Sequence, residues 1–277
     1  IISLLTLPFL WMRSAVAQSI LPAADGTQTK VEQQGNQLDI SGGQQSSDGT
    51  NLFHSFDRFN LNAGETANFL TEPQINNILG RIIGGDPSVI DGLIRVSGSN
   101  ANLFLINPAG LVFGENAQLD VPSSFIATTA TGIGFAGGWF DALEPNNYAQ
   151  LWGNPDRIAF NLSHPGSLVN AGNLAVNSGA SLMLVGGMVV NTGTLIAPGG
   201  AISLSAVQGN RLVNLTQTGQ VLSLDILPPT TTEQLSTLSL PQLLTGNATM
   251  PATGVIANAD GTLSLVGSTT TFDAQPG

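Results

Sequence analysis

Cysteine is absent from all 277 residues, which excludes a disulfide framework and any thiolate metal site. Charge is scarce as well: Asp, Glu, Lys and Arg make up 9% of the chain, and Lys30 is the sole lysine. Eighteen acids against seven bases give a net charge of −11 and a pI of about 4.2, which argues against nucleic acid or anionic lipid as the main partner. The helix formers Lys, Glu and Arg are thin throughout, so the composition reads all-β. A membrane-spanning run is missing too. The strongest apolar stretch, residues 1–17, is broken by Pro8 and is too short to cross a bilayer. Absence of cysteine is open to two readings. Stacked windings of chain need no staples, or the chain must cross a second membrane unfolded, where a premature disulfide would jam it.

What is present is patterned. Hydrophobic residues make up 42%, and 33 glycines and 15 prolines are spread along the chain, so a continuous core is within reach and disorder is not expected. From Ile75 to Thr128, short apolar runs alternate with Gly, Asn, Asp and Pro turns. Val89–Val96, Asn102–Gly114, Ala117–Val121 and Ser124–Thr128 are rich in β-branched and aromatic residues. Such runs are strands, and they follow one another too closely to leave room for crossover helices. A sheet that cannot cross over must coil, which predicts a solenoid acting by surface display. The in/out phase of Asn102–Ile106 stays open, because its apolar run is unbroken.

A repeat supports the solenoid. Val169-Asn170-Ala-Gly172-Asn-Leu174 returns as Val190-Asn191-Thr-Gly193-Thr-Leu195, an offset of 191 − 170 = 21. The same offset would align Ala180 with Ala201, Met183 with Leu204 and Val185 with Ala206. A looser echo runs from Ile256 through Asn258 and Gly261 to Leu263. Coils of this size suit a three-faced parallel β-helix, each coil stacked on the last and shielded only by its neighbours. Asn170, Asn191 and Asn258 are expected to stack as an amide ladder at one corner. The first coils, Val31 to Asn62, are expected to cap the open edge.

Three segments stand apart. Residues 1–17 end in Ala15-Val16-Ala17 and read as a secretory signal peptide whose basic start is missing, with cleavage expected before Gln18. The mature domain is then 18–277, expected to continue into a longer passenger. Gly132 to Asp156, with Phe135, Trp139, Phe140, Tyr148 and Trp152, reads as an excursion packed outside the coil, its aromatics either a satellite core or a ligand platform. Leu227 to Thr249 is a second excursion, with a short helix expected either from Glu233 to about Leu238 or around Pro241–Leu244.

The order Asn51–Phe56, Ile78–Gly85, Ile90–Gly98, Ala101–Gly114 and Ser124–Thr129 resembles the filamentous haemagglutinin N-terminal domain. This is the secretion domain of two-partner secretion exoproteins, in the form common in cyanobacteria. The resemblance is specific from about Gly26 to Gly134 and implies a right-handed parallel β-helix. It also implies export from the periplasm to the cell surface through a partner outer-membrane barrel bearing POTRA domains, as part of an adhesin. The family's Asn-Pro-Asn-Gly-Ile motif matches Asn107-Pro108-Ala109-Gly110-Leu111, with Ala109 and Leu111 departing from it. Its upstream Asn-Pro-Asn-Leu motif has only Pro73-Gln74-Ile75 near the expected place. Asn-Pro-x-Gly is physically a β-turn, so Asn107, Pro108 and Gly110 are candidates for transporter recognition, for a structural corner, or for both.

No catalytic signature emerges. His54 and His164 lack metal-ligand spacing and sit beside turns, and His54 reads as a packing or hydrogen-bonding residue. Asp57, Asp91, Asp120 and Asp156 fall at run ends, as turn or cap residues. Arg81 and Arg95 each have a nearby acid, Asp86 and Asp91, for a surface ion pair. No cofactor, metal or enzymatic activity is expected. The rival to a secretion module is a β-helix that binds a cell-surface glycan or protein through exposed aromatics, for which Trp139, Phe140 and Trp152 are the candidates. A polysaccharide lyase or hydrolase is the weakest reading.

Overall fold

The computed structural model describes residues 18–218, 221–227, 254–257 and 263–266, with side chains through 215. The expected signal peptide, the helix at 233–238 or 241–244, the second excursion beyond Leu227 and Asn258 lie outside these residues. Four short strands open the chain: β1 (Ile20–Pro22), β2 (Thr29–Gln34), β3 (Gln37–Gly42) and β4 (Gln44–Gln45). Winding follows through β5 (Asn51–Phe59), β6 (Thr66–Leu70), β7 (Asn77–Ile82), β8 (Ser88–Ile90) and β9 (Leu93–Ser97). It continues with β10 (Asn102–Ile106), β11 (Leu111–Phe113), β12 (Gln118–Asp120) and β13 (Phe125–Thr128). An excursion of β14 (Gly132–Phe135), β15 (Gly138–Asp141) and β16 (Arg157–Phe160) interrupts it. The coil then resumes as β17 (Ser167–Asn170), β18 (Asn173–Ala175), β19 (Leu182–Gly186), β20 (Met188–Asn191), β21 (Thr194–Ile196) and β22 (Ile202–Ala206). The hairpin β23 (Arg211–Thr218) and β24 (Val221–Leu227) joins the excursion sheet.

These strands form the right-handed parallel β-helix, about six turns long. One face stacks β5, β7, β10, β13, β19 and β22 in parallel; a second stacks β3, β6, β9, β12, β18 and β21; a third stacks β8, β11, β17 and β20. Asn170 pairs with Asn191 and Leu174 with Leu195, so the 21-residue period holds through these two strands. It then fails by one. Leu184, not Met183, sits beside Leu204, and Val185 sits beside Ser205. The turn 197–201 is one residue shorter than its counterpart 176–181, and a one-residue slip exchanges inward and outward positions. The looser echo fails outright. Gly254–Ala257 and Leu263–Val266 pair antiparallel, as β25 and β26 of a hairpin, and so are not a further coil.

The first face is buried on both sides, which settles the phase of Asn102–Ile106. Leu103 and Leu105 point into the rod, where they join Leu52, Phe56, Ile78, Phe125, Leu182 and Leu184. Phe104 and Ile106 point outward into a second core with Phe53, Leu79, Ile126, Met183 and Val185. The five-stranded antiparallel sheet β15-β14-β16-β23-β24 covers that outer side with Ile133, Phe135, Phe140, Ile158, Phe160 and Val213. A strand buried on both faces reads as a continuous apolar run. At β22 the outward positions become Ser203 and Ser205, and the run alternates again.

The N-terminal end is capped from further upstream than Val31. Strand β1 runs antiparallel to β5, and the β2–β3 hairpin closes the second face with Lys30, Gln33 and Gln34 exposed along its outer strand. On the last described coil Ile196, Ile202 and Leu204 are exposed, at 41–46% of their surface, although Ile202 and Leu204 register with buried Leu182 and Leu184 below.

Candidate functional site

The Asn107–Gly110 turn links β10 to β11 and carries its own geometry. The Gly110 amide donates to the Asn107 carbonyl at 3.1 Å, closing a β-turn. Asn107 is 1% exposed and its amide group is fully engaged. Its Nδ2 donates to the Asp86 carbonyl at 3.0 Å and to Ser88 Oγ at 3.1 Å, and its Oδ1 accepts from the Ala109 amide at 3.0 Å. Gly110 adopts φ +135°, which disfavours side chains, and a Cβ there would meet the Ser167 carbonyl at 3.1 Å. Pro108 and Gly110 are also buried, and Ala109 is the most accessible of the four. In the wound rod this turn is a corner between three successive coils.

The excursion is fastened to the first coils by polar groups that sequence reasoning assigned elsewhere. Arg81 is buried and does not pair with Asp86. Its guanidinium donates to Asp25 Oδ2 at 2.8 Å, to Ser55 Oγ at 3.0 Å, and to the Asp141 and Glu144 carbonyls at 2.6 and 2.7 Å. It also lies 6.0 Å from the centroid of the Phe140 ring. Burial pushes the Asp25 carboxyl up, but hydrogen bonds from Ser55, Thr27 and Arg81 outweigh it and hold the pKa at about 2. Arg95 pairs with Asp120, not with Asp91, whose carboxylate accepts from the Asn116 amide and side chain. Near neighbours in sequence do not predict these partners, because stacked coils bring together residues 25, 26 or 56 positions apart.

Asparagines form a second set of ties. Asn77 Nδ2 donates to Asn51 Oδ1 at 2.8 Å, and Asn102 Nδ2 donates to Asn77 Oδ1 at 2.9 Å. Asn51 in turn donates to the carbonyls of Leu151 and Gly153 at 2.8 Å, anchoring the excursion loop. The expected pair is also present, with Asn170 Nδ2 donating to Asn191 Oδ1 at 2.7 Å. The 51–77–102 ladder was legible only as spacings of 26 and 25, which the 21-residue repeat obscured.

His54 is not beside a turn. It lies within β5, fully buried, stacked near Phe56 and tilted against Phe69. Thr29 Oγ1 is 3.4 Å from its Nδ1, and its Nε2 has no partner among the described residues. Burial lowers its pKa to about 3, so the ring is neutral near pH 7.

The three candidate binding aromatics separate. Phe140 is fully buried against Phe53 and Tyr148, inside the second core, and has no face to offer a ligand. Trp139 and Trp152 are exposed, at 38% and 47%. Among the described residues no three of His, Cys, Asp and Glu cluster as metal ligands, and no helix is long and apolar enough to cross a membrane.

Comparison with known proteins agrees with this architecture. A family model of the TPS secretion domain matches residues 17–268. Among solved structures, the HMW1 secretion domain from Haemophilus influenzae superposes with a TM-score of 0.52 at 24% identity, covering 73% of this chain and 46% of that one. The filamentous hemagglutinin secretion domain superposes with a TM-score of 0.50 at 16% identity, covering 77% and 70%. The chain thus spans less than half the length of the HMW1 structure, and no curated protein matches it. At these identities the superpositions carry the fold, while the family rests on the match over residues 17–268: the chain belongs to the TPS secretion-domain family, the secretion domains of two-partner secretion exoproteins.

Proposed function

We propose that this domain is the N-terminal secretion module of a surface adhesin, recognised in the periplasm by a cognate outer-membrane barrel with POTRA domains. The observation that carries this reading is the family match across residues 17–268, joined to a β-helix with one closed end. Two-partner secretion domains work with a transporter partner and imply export across the outer membrane. A signal peptide at residues 1–17 would deliver the chain to the periplasm.

Burial of Asn107, Pro108 and Gly110 sharpens the recognition step. Side chains engaged inside a corner are not available to a partner docking on the folded rod. Any contact with this motif therefore precedes winding, while the chain is extended. The test is export in cells with and without the partner barrel, comparing the native chain with Asn107→Ala and Pro108→Ala. The reading expects export to require the barrel and to drop at least several-fold in both variants, while the variants still fold when refolded from denaturant. Native-level export of both would remove the motif from recognition, and export without any barrel would sink the module's role.

A further inference from the structure

The link between β15 and β16, residues 142–156, crosses back over the start of the rod. It is long for a connection inside a compact domain, and its regular structure is a single 3-10 turn, Tyr148–Gln150. Ala142, Leu151 and Pro155 are buried, and the rest of the link is exposed or half-buried. Polar ties hold it down instead. The Ser47 amide donates to the Ala149 carbonyl at 3.2 Å, and the Gly153 amide donates to Asp48 Oδ2 at 2.9 Å. Asn51 holds the Leu151 and Gly153 carbonyls, and the Tyr148 hydroxyl lies 3.1 Å from Thr27 Oγ1. Every one of these partners sits 100 to 121 positions earlier in the chain, in the cap or at the first residue of β5.

Such ties cannot form early. Before the excursion, stacked strands pair residues 22 to 29 positions apart, as with Leu103 and Phe125 or Leu38 and Ala67. Contacts across about 100 positions cost more chain entropy and wait until other structure has brought their ends together. Here that structure is the rod itself. The link hangs from a sheet whose Phe135 and Phe140 pack on Phe53, at 5.9 and 5.1 Å between ring centroids. Phe53 belongs to an outward column with Leu79, Phe104 and Ile126, which exists only when β5, β7, β10 and β13 have stacked. The link therefore needs the coils, whereas the pairing of those four strands uses no residue of the link. Few buried apolar contacts and many exposed backbone groups also mark a segment that opens before the core does.

We propose that residues 142–156 are a latch that closes last, after the coils have wound, and holds the N-terminal cap down on the first coil. Contacts made after the folding transition state act on the unfolding rate and leave the folding rate alone. On the export reading, the latch would keep a wound chain from sliding back. The latch itself does not depend on that reading, and its test uses no transporter.

The test follows refolding and unfolding of the purified full chain in urea by stopped flow, with hydrogen exchange of the folded protein alongside. Tyr148→Phe removes the hydroxyl tie and keeps the ring on Phe53, 5.3 Å between centroids. Asp48→Asn removes the acceptor for the Gly153 amide. The double variant should unfold about three- to tenfold faster and refold within twofold of the native rate. Peptides covering 44–51 and 148–153 should exchange faster by the same factor in either single variant, while β9 and β10 keep the native rate. Tyr148→Phe carries the decision alone should the double variant fail to fold. Slower refolding with native unfolding, native rates in both directions, or a cap whose exchange ignores Tyr148→Phe would each overturn the proposal.

Discussion

Arg81 and Asp25 meet at 2.8 Å across 56 residues of sequence, tying the cap at the start of the rod to its second winding. The same guanidinium holds two carbonyls of the excursion, so one side chain joins three parts of the fold. Arg81→Ala is expected to destabilise the domain by about 3–5 kcal/mol, because it strands a half-buried carboxylate and two carbonyls. Urea unfolding of Arg81→Ala, Asp25→Asn and the double variant measures it. The double variant should be less damaging than the sum of the two singles, and strict additivity would contradict the clamp.

Acid should weaken the domain in two stages. His54, held at about pKa 3 by burial, is neutral in the fold, whereas the unfolded chain takes up a proton near the ordinary 6.5. Its share of stability is therefore whole above about pH 6.5 and lost as the pH falls toward 3, at up to about 1.4 kcal/mol per unit. Asp25, held near 2, contributes above its ordinary 3.8 and loses that contribution as the pH falls toward 2. Unfolding free energy measured from pH 7 to 3 in His54→Leu should lose most of the slope above pH 4. An unchanged slope would place the sensitive group elsewhere.

The two asparagine ladders differ in depth, and their losses should differ accordingly. Asn77 is buried between Asn51 and Asn102, so Asn77→Ala leaves amide groups unpaired on both sides and should cost about 2–3 kcal/mol. Asn191 is exposed, and Asn191→Ala should cost less than about 1 kcal/mol. Chemical denaturation of the two variants makes the comparison.

Register and exposure set a further contrast at the far end. Leu184 and Leu204 are neighbours on one face, but Leu184 is fully buried and Leu204 is 46% exposed. Leu184→Ala should cost about 2–5 kcal/mol, and Leu204→Ala less than about 1.5. Equal costs would mean that Leu204 is packed as deeply as Leu184.

The solenoid was readable because its inward residues recur at coil spacing and its corners call for Asn and Gly. Pairs such as Asn170 with Asn191 could be found by simple offset. Coil length varies, however, from 29 residues between Leu38 and Ala67 to 20 between Leu182 and Ile202, so a single period misassigned Met183 and Val185. The second core was hidden in plain view. The unbroken run Leu103–Ile106 signals burial on two sides, yet nothing local says what lies on the outer one. The candidate aromatics were only partly separable for a related reason. Trp139 and Phe140 are consecutive on one strand and therefore face opposite ways, a parity that depends on first knowing β15 is a strand.

Rods with apolar ends are in principle able to join head-to-tail into fibrils. The cap makes that combination unproductive here. An apolar coil face arriving from another molecule would meet antiparallel β1 and the polar outer strand of the β2–β3 hairpin, neither of which continues a parallel ladder. The cap thus closes the first winding to any further parallel coil.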